Sequence, residues 1–192
     1  GTYLFCDGTY YADMDVTADV SITSLSSGVT FHGSDSHSIF NVETDSVTLT
    51  LDDVVLTNGS GDGDAFSDLG YSGSGGGVNC DASAAVELTD VLITTSMGTL
   101  GGGIVSQGCD VPLTDSQVDE STAEFGGGIL IGAATLTLSG STINDNDATS
   151  NGGGVYVYQG TVDMADSLVD SNISTGDGGG LADGGRVRNR LR

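Results

Sequence analysis

The chain has 192 residues, including 32 Gly, one Pro and no Trp, so few large side chains are available to fill a wide globular core. Its 27 carboxylates and four Arg give a formal net charge of −23, and every Arg lies at or after position 186. Residues 1–185 are therefore excluded as a nucleic-acid-binding surface.

The N-terminal stretch, residues 1–37, contains short segments in which apolar and polar residues alternate. They lie at 8–16, 20–22 and 29–33, and a period of two predicts β-strands. Residues 1–40 hold six of the eleven aromatic residues. Bulky side chains suit the end of a narrow core, so we expect one or two capping coils here.

Five Gly triplets, each followed by an aliphatic residue, dominate the rest of the chain. They are 75–77, 101–103, 126–128, 152–154 and 178–180, and their last glycines are 26, 25, 26 and 26 residues apart. A period this regular predicts one structural unit stacked along an axis. An earlier copy lacks the glycines, with Ser38, Ile39 and Phe40 standing where a triplet would be.

Two further strands are predicted in each unit. An alternating segment follows each triplet, for example 86–90 and 136–140, and a short apolar segment ending in a small polar residue follows that one. Three short strands per unit of about 26 residues predict an all-β fold, a single-stranded right-handed parallel β-helix. Its right hand is expected from the general preference of parallel crossovers.

We interpret residues 1–192 as a single β-helix domain. Capping coils occupy 1–37 and regular coils occupy 38–181, with an insert at 59–74. Residues 182–192 are interpreted as a basic tail, because the coil opened by the last triplet shows no second or third strand. A fragment, a processed product and a cap supplied by another chain would each explain such an end.

The insert contains an oxygen-rich loop. Asp62, Asp64 and Asp68 are spaced by Gly and small residues, like the opening of a calcium loop. The bidentate Glu of an EF-hand is missing. These residues are candidate ligands of Ca²⁺, and an ordinary exposed loop is the alternative.

Polar residues that recur with the coil form two further sets. The first follows the second strand and comprises Asp53, Asp90, Asp115 and Asp166, with Gly140 in place of one member. The second comprises Asn58, Asn146 and Asn172, with Ser96 and Ser121 between them. Because a catalytic pair is expected once rather than in every coil, both sets are predicted to be structural turn ladders, and no catalytic residue is assigned.

The positions of the three cysteines allow one disulfide bond. Cys80 and Cys109 fall in adjacent coils, three and six residues after their triplets, so a disulfide between neighbouring corners is a candidate. Cys6 would remain unpaired.

The motif order resembles that of a known family. Over Ile39 to Leu181, Gly-Gly-Gly-aliphatic, an alternating strand and aliphatic-x-x-Asn or aliphatic-x-x-Ser resemble the repeats of chlamydial polymorphic outer-membrane proteins and of other secreted bacterial β-helix regions. The opening Gly8-Thr9-Tyr10 is similar too. Here aliphatic residues replace the Phe of the family's Phe-x-x-Asn. The resemblance implies the fold and a surface or secreted location more firmly than it implies adhesion.

Two classes of function compete. We expect a non-catalytic extracellular or cell-surface solenoid acting as an adhesin, stalk or matrix component, whose partners are a glycan, a cell-surface ligand or its own copies end to end. A carbohydrate-active enzyme, either a polysaccharide lyase or a glycosidase, is the alternative. A lyase acting on acidic polymers would need calcium in place of the basic groups that residues 1–185 lack.

An ice-binding solenoid is the minor alternative. It requires a regular Thr-x-Thr ladder, which 48–50 and 135–137 offer but 85–87 and 161–163 interrupt with acidic residues. No run of 18 apolar residues and no basic-then-apolar leader is present, so we predict no membrane span and expect secretion with the leader removed.

Overall fold

The computed structural model describes residues 1–34, 37–61 and 74–184, together with the backbone of 189–191. Within these ranges every regular element is a β-strand, and all strand pairs are parallel. The strands form four sheets of eight, seven, seven and five strands, which we call sheets A, B, C and D. The all-β parallel class predicted from the sequence is confirmed.

Sheets A and B contain the longer strands. Sheet A consists of β1 (Thr2–Phe5), β4 (Val20–Ser24), β7 (Thr48–Asp52), β11 (Ala85–Thr89), β15 (Val111–Thr114), β19 (Thr135–Ser139), β23 (Thr161–Ala165) and β27 (Asn189–Leu191). Sheet B consists of β2 (Gly8–Tyr11), β5 (Val29–His32), β8 (Val54–Thr57), β12 (Leu92–Thr94), β16 (Gln117–Asp119), β20 (Thr142–Asn144) and β24 (Leu168–Asp170).

Sheets C and D contain the shorter strands. Sheet C consists of β3 (Met14–Asp15), β6 (Phe40–Val42), β10 (Val78–Cys80), β14 (Ile104–Ser106), β18 (Ile129–Ile131), β22 (Val155–Val157) and β26 (Leu181–Asp183). Sheet D consists of β9 (Ser60–Gly61), β13 (Met97–Gly98), β17 (Thr122–Ala123), β21 (Asp147–Ala148) and β25 (Ile173–Ser174).

Each regular coil visits sheets C, A, B and D in turn, and every strand pairs with its copy in the next coil. Ile104 pairs with Ile129, for instance, and Val118 pairs with Ile143. This arrangement fits a parallel β-solenoid. Three strands per coil were predicted, whereas the structure has four, because the strands of sheet D are two residues long and too short to show alternation.

The core lies inside the coils, where side chains of one kind stack in rows. One row of sheet A runs Ile22, Leu51, Leu88, Leu113, Leu138 and Met164. One row of sheet C runs Phe40, Val78, Ile104, Ile129, Val155 and Leu181. All of these side chains are buried except Met164 and Leu181, which pack against the core from partly buried positions.

Aromatic rings fill the first coils, as expected for the capping end. Phe5 packs edge-on against Tyr10 and Phe31, with ring centroids 4.9 and 5.1 Å apart. Phe31 continues to Phe40 at 5.5 Å. Later coils have only aliphatic side chains in the equivalent inward positions.

The Gly triplets are required by the close approach of successive coils. A Cβ on Gly77, Gly103, Gly128 or Gly154 would lie 2.7 to 3.0 Å from the carbonyl oxygen of the matching glycine one coil further on. The first glycine of a triplet adopts a left-handed backbone at 101, 126, 152 and 178, with φ between +55° and +68°. Each triplet thus turns the chain and brings neighbouring backbones together.

Two predicted boundaries shift. Phe40, not Asn41, pairs with Val78, so His37-Ser38-Ile39 occupies the triplet position, one residue earlier than expected. The tail assigned to 182–192 enters the sheets, since β26 extends to Asp183 and β27 pairs with β23. Alternation is hard to recognise in strands of three residues, which explains both shifts.

Candidate functional site

The repeated aspartates hold the turn between sheets A and B in a left-handed conformation. Asp53, Asp90, Asp115 and Asp166 have φ between +49° and +54°, and Gly140, the member without a carboxylate, has φ of +63°. Asp and Gly are among the residues that adopt this conformation most readily. The conformation explains why the position accepts either residue, and it gives these aspartates a structural role.

A serine ladder, not noticed in the sequence, satisfies the amides of the same turn. Ser116 Oγ accepts from the Val91 amide at 3.1 Å, and Ser141 Oγ accepts from the Ser116 amide at 3.1 Å. Ser167 Oγ continues the series at 3.0 Å from the Ser141 amide. Since Ser116 and Ser141 are buried, these bonds replace water for amides that have no partner in a sheet.

The second predicted ladder joins the coils at the turn before sheet D. Ser121 accepts from the Ser96 amide at 3.4 Å, Asn146 accepts from the Ser121 amide at 3.0 Å, and Asn172 accepts from the Asn146 amide at 3.0 Å. Asn146 is fully buried, and its Nδ2 also donates to Val118 O and Asn144 O. The ladder is therefore part of the scaffold.

Asn58 does not belong to that ladder. Sheet pairing places it one residue earlier, in the register of Thr95 and Glu120, and all three have left-handed φ angles near +50°. Its Nδ2 donates to His32 Nε2 at 2.9 Å, while His32 Nδ1 donates to Gly33 O. Gly59 occupies the ladder position in this coil, and the Asn58 side chain instead contacts the ring of His32.

The candidate calcium ligands Asp62, Asp64 and Asp68 lie outside the described residues. Within the described ranges no three His, Cys, Asp or Glu side chains come close enough together to hold a metal ion.

Cys80 and Cys109 are joined by a disulfide, with their Cα atoms 6.1 Å apart. Both side chains are buried, whereas Cys6 is exposed and has a free thiol. Ser106 Oγ accepts from the Cys109 amide at 3.1 Å and fixes the turn that carries this cysteine. The bond connects the end of β10 to the loop after β14, one coil away.

A polar cavity of about 150 Å³ opens on the outer side of sheet C near the N-terminal end. Its rim carries the exposed side chains of Asp13, Asp15, His37 and Glu43. Its floor is formed by Ser38, Asn41, Ser74 and Asn79. Asn41 is half-buried, and Ser38, Ser74 and Asn79 are buried, so the cavity has a buried polar floor below an exposed, charged rim.

A chain of hydrogen bonds organises the floor. Asn79 Nδ2 donates to Asn41 Oδ1 at 2.6 Å. Asn41 Nδ2 in turn donates to Asp15 Oδ1 at 3.2 Å and to Glu43 Oε1 at 3.1 Å. Among the described residues Asn79 Oδ1 has no hydrogen-bond partner, although Asn79 is only 2% exposed. Besides the hydroxyls of Ser38 and Ser74 and the ring of His37, the cavity therefore offers carboxylates and one buried amide oxygen, which can only accept.

Three residues that line the cavity, Asp15, Asn41 and Asn79, begin a longer row of residues that we call the outer row of sheet C. It consists of Asp15, Asn41, Asn79, Val105, Leu130, Tyr156 and Ala182, which occupy equivalent positions in successive strands. After Asn79 the row becomes apolar. Leu100 and Phe125 then pack over Val105 and Leu130, which are fully buried outside the main core.

In comparisons with protein families, with curated proteins and with solved structures, the chain matched none. No helix in the described residues is long and apolar enough to cross a membrane.

The residues around the cavity were not identified from the sequence, because they do not recur from coil to coil. One signal was available. With the corrected register, Asn41 and Asn79 occupy the same outward position in successive coils, where the next two coils carry Val105 and Leu130. Two adjacent Asn side chains, followed in the same row by Val105 and Leu130, indicate a local polar site.

Proposed function

We propose that the chain is a right-handed parallel β-helix from a secreted or cell-surface protein, similar to polymorphic outer-membrane protein repeats, and that it serves as a non-catalytic adhesive or spacer region. The right hand is supported by the strong preference of parallel crossovers for that hand.

The observation that carries this proposal is the use made of the repeated polar residues. Asn146 and the serines before it hydrogen-bond neighbouring coils from buried positions, and the repeated aspartates maintain left-handed turns. These side chains support a long scaffold and are not available for chemistry. The carboxylates that remain exposed form a strongly acidic coat, which favours solubility and selects against acidic partners.

The disulfide supports an extracellular setting. Disulfides persist in oxidising compartments and are rare in the cytosol, where thiols are kept reduced. The buried bond between Cys80 and Cys109 fits a protein that folds outside the cytosol.

A carbohydrate-active enzyme is the second candidate, and the cavity is the observation that favours it. Glycoside hydrolysis uses two carboxyl groups on either side of the scissile bond. Asp15 and Glu43 both approach the amide nitrogen of Asn41, so two carboxylates do face one cavity.

The test exposes the purified chain to immobilised neutral, cationic and acidic polysaccharides, with calcium or with a chelator. Retention without new reducing ends is the expected result. Release of new ends that disappears in Glu43→Gln would replace the proposal with a glycosidase. Absence of both retention and cleavage across the panel would overturn the glycan-contacting role.

A further inference from the structure

We propose that the cavity above Asn79 binds a single ring-sized sugar unit that bears a positive charge, as an unacetylated amino sugar does. The inference rests on the proposed function, because it gives the glycan contact a location and a chemistry.

Asn79 provides the first argument. Its Oδ1 is buried and has no partner among the described residues. A buried acceptor without a donor is unfavourable, and a ligand that supplies a donor removes this cost. This oxygen is covered, so an O–H or N–H group of the ligand reaches it only if the Asn79 side chain turns slightly towards the cavity.

The identity of that free atom follows from the chain of hydrogen bonds. Ionised Asp15 and Glu43 can only accept, so Asn41 must turn its Nδ2 towards them. Asn41 Oδ1 then faces Asn79 and requires a donor, which is the Asn79 amide nitrogen. The atom left over on Asn79 is consequently an oxygen, and the two carboxylates determine the orientation of both amides.

The spacing of the acceptors favours an organic ligand over a metal ion. Asp13, Asp15 and Glu43 all line the cavity, yet no three acidic, His or Cys side chains of the described residues approach one point closely enough for metal coordination. These hydrogen-bond acceptors lie apart from one another, so they suit a ligand that carries O–H or N–H donors at different positions around a ring. A volume of about 150 Å³ is enough for a small six-membered ring such as benzene, and the open mouth of this cavity leaves room for the substituents of a sugar ring.

Charge selects among such rings. Three carboxylates surround the cavity, and residues 1–185 contain neither Lys nor Arg to offset them. A uronic acid or sulfated sugar would be repelled, and an ammonium group would be attracted. Because the carboxylates are exposed, this attraction should weaken as salt is added.

The experiment is calorimetric titration of the full chain at low salt with three disaccharides: of glucosamine, of N-acetylglucosamine and of galacturonic acid. We expect the glucosamine disaccharide to bind at least tenfold more tightly than the other two. Asn79→Ala and Glu43→Gln should each raise its Kd at least fivefold. Glu43 is exposed, so this variant should fold normally even if Asn79→Ala does not.

Glu124→Gln is the matched control, because Glu124 is exposed and lies in a different coil, away from the cavity. Its Kd should equal that of the wild type. Equal binding of all three disaccharides, or binding that neither cavity variant weakens, would overturn the inference. Calcium binding that requires Asn79 and displaces the sugar would overturn it in favour of a metal site.

The polysaccharide panel separates this failure from failure of the proposed function. If the panel retains the chain but retention is unchanged in Glu43→Gln and Asn79→Ala, the cavity assignment is wrong and the glycan-contacting role stands. If the panel retains nothing and no disaccharide binds, both are wrong.

Discussion

The outer row of sheet C differs in character between the early and the late coils, although the backbone beneath it does not. In the early coils it carries Asp15, Asn41 and Asn79 around a polar cavity. In the late coils it carries Val105 and Leu130, buried in a small cluster of their own. The inward rows and turns suffice to define the coil, so the outer row is free to carry function.

At the triplets that begin at Gly75, Gly101 and Gly126, the preceding residue changes together with the outer row. Leu100 and Phe125 precede the glycines at 101 and 126 and pack against the apolar half. Ser74 takes this position before Gly75, and its hydroxyl lies 3.3 Å from Ser38 Oγ at the floor of the cavity. At these three triplets the preceding residue and the outer-row residue that it covers are therefore matched in polarity, which is what burial of either type of side chain demands.

The largest loss of stability is expected when an apolar residue of the outer row is replaced by Asn, the residue found in its polar half. Leu130→Asn removes packing from a fully buried site and places an amide where Val105 and Leu100 offer it no partner. We expect a loss of about 4 kcal/mol of unfolding free energy in urea titration.

Leu168→Asn is the control for this substitution, because Leu168 is 54% exposed on sheet B. It should change stability by less than about 0.5 kcal/mol. Equal effects of the two substitutions would show that the cluster around Leu130 contributes nothing beyond surface contacts.

The second prediction concerns the boundary between the halves. Cys80 follows Asn79, the last polar member of the row, and its disulfide reaches Cys109 in the coil of Val105, closing a separation of 29 residues. Replacing both cysteines by Ala should lower the unfolding free energy by about 3 kcal/mol, since a loop of this length is then free in the unfolded chain. Urea unfolding measures the loss.

Cys6→Ala serves as its control and should leave the urea midpoint unchanged, as the Cys6 thiol is free and exposed. A wild-type protein whose midpoint is the same with and without a reductant would contradict the stabilising role of the bond.

The third prediction tests a feature that only the later coils possess. Asn146→Ala leaves the carbonyls of Val118 and Asn144 without the amide donor that reaches them, and leaves the Ser121 amide without an acceptor. We expect a loss of about 2 kcal/mol in the same urea assay.

Asn144→Ala is the matched control, because the Asn144 side chain bonds only to Asp145 and Gln117 near the surface. Its effect should stay below about 1 kcal/mol. If both Asn variants behaved alike, the buried ladder would not be what joins these coils.

Features that recur in every coil could be predicted from the sequence. Alternation predicted strands at 86–90 and 136–140, and the structure has strands at Ala85–Thr89 and Thr135–Ser139. A regular period repeats the same evidence several times, which protects it from local error. The strands of sheet D escaped detection because two residues carry no period.

Features that occur once could not be predicted in the same way, and the cavity shows the physical reason. The sequence alignment set residues 38–40 against the triplet 75–77, whereas the structure sets 37–39 there. The alignment therefore places Val42 rather than Asn41 beside Asn79. A one-residue slip exchanges the two faces of a strand. With the wrong register Asn41 falls on the core face and Asn79 on the outer face. The two Asn side chains then no longer look adjacent, and their adjacency was the local sign of the site.

The smallest change in stability is expected for the reverse replacement, in which an Asn of the outer row becomes Leu, a residue found in its apolar half. Asn79→Leu removes the unpaired Oδ1 and continues the apolar row formed by Val105 and Leu130. Against this gain, Asn41 Oδ1 loses the donor that lies 2.6 Å away, at a half-buried position that water can reach. The two terms nearly cancel, so we expect a change within about 1 kcal/mol in urea unfolding. A loss of 3 kcal/mol or more would mean that the amide chain holds the early coils together. A small change accompanied by lost binding of the glucosamine disaccharide would mean that Asn79 is kept at a polar position for its ligand rather than for the fold.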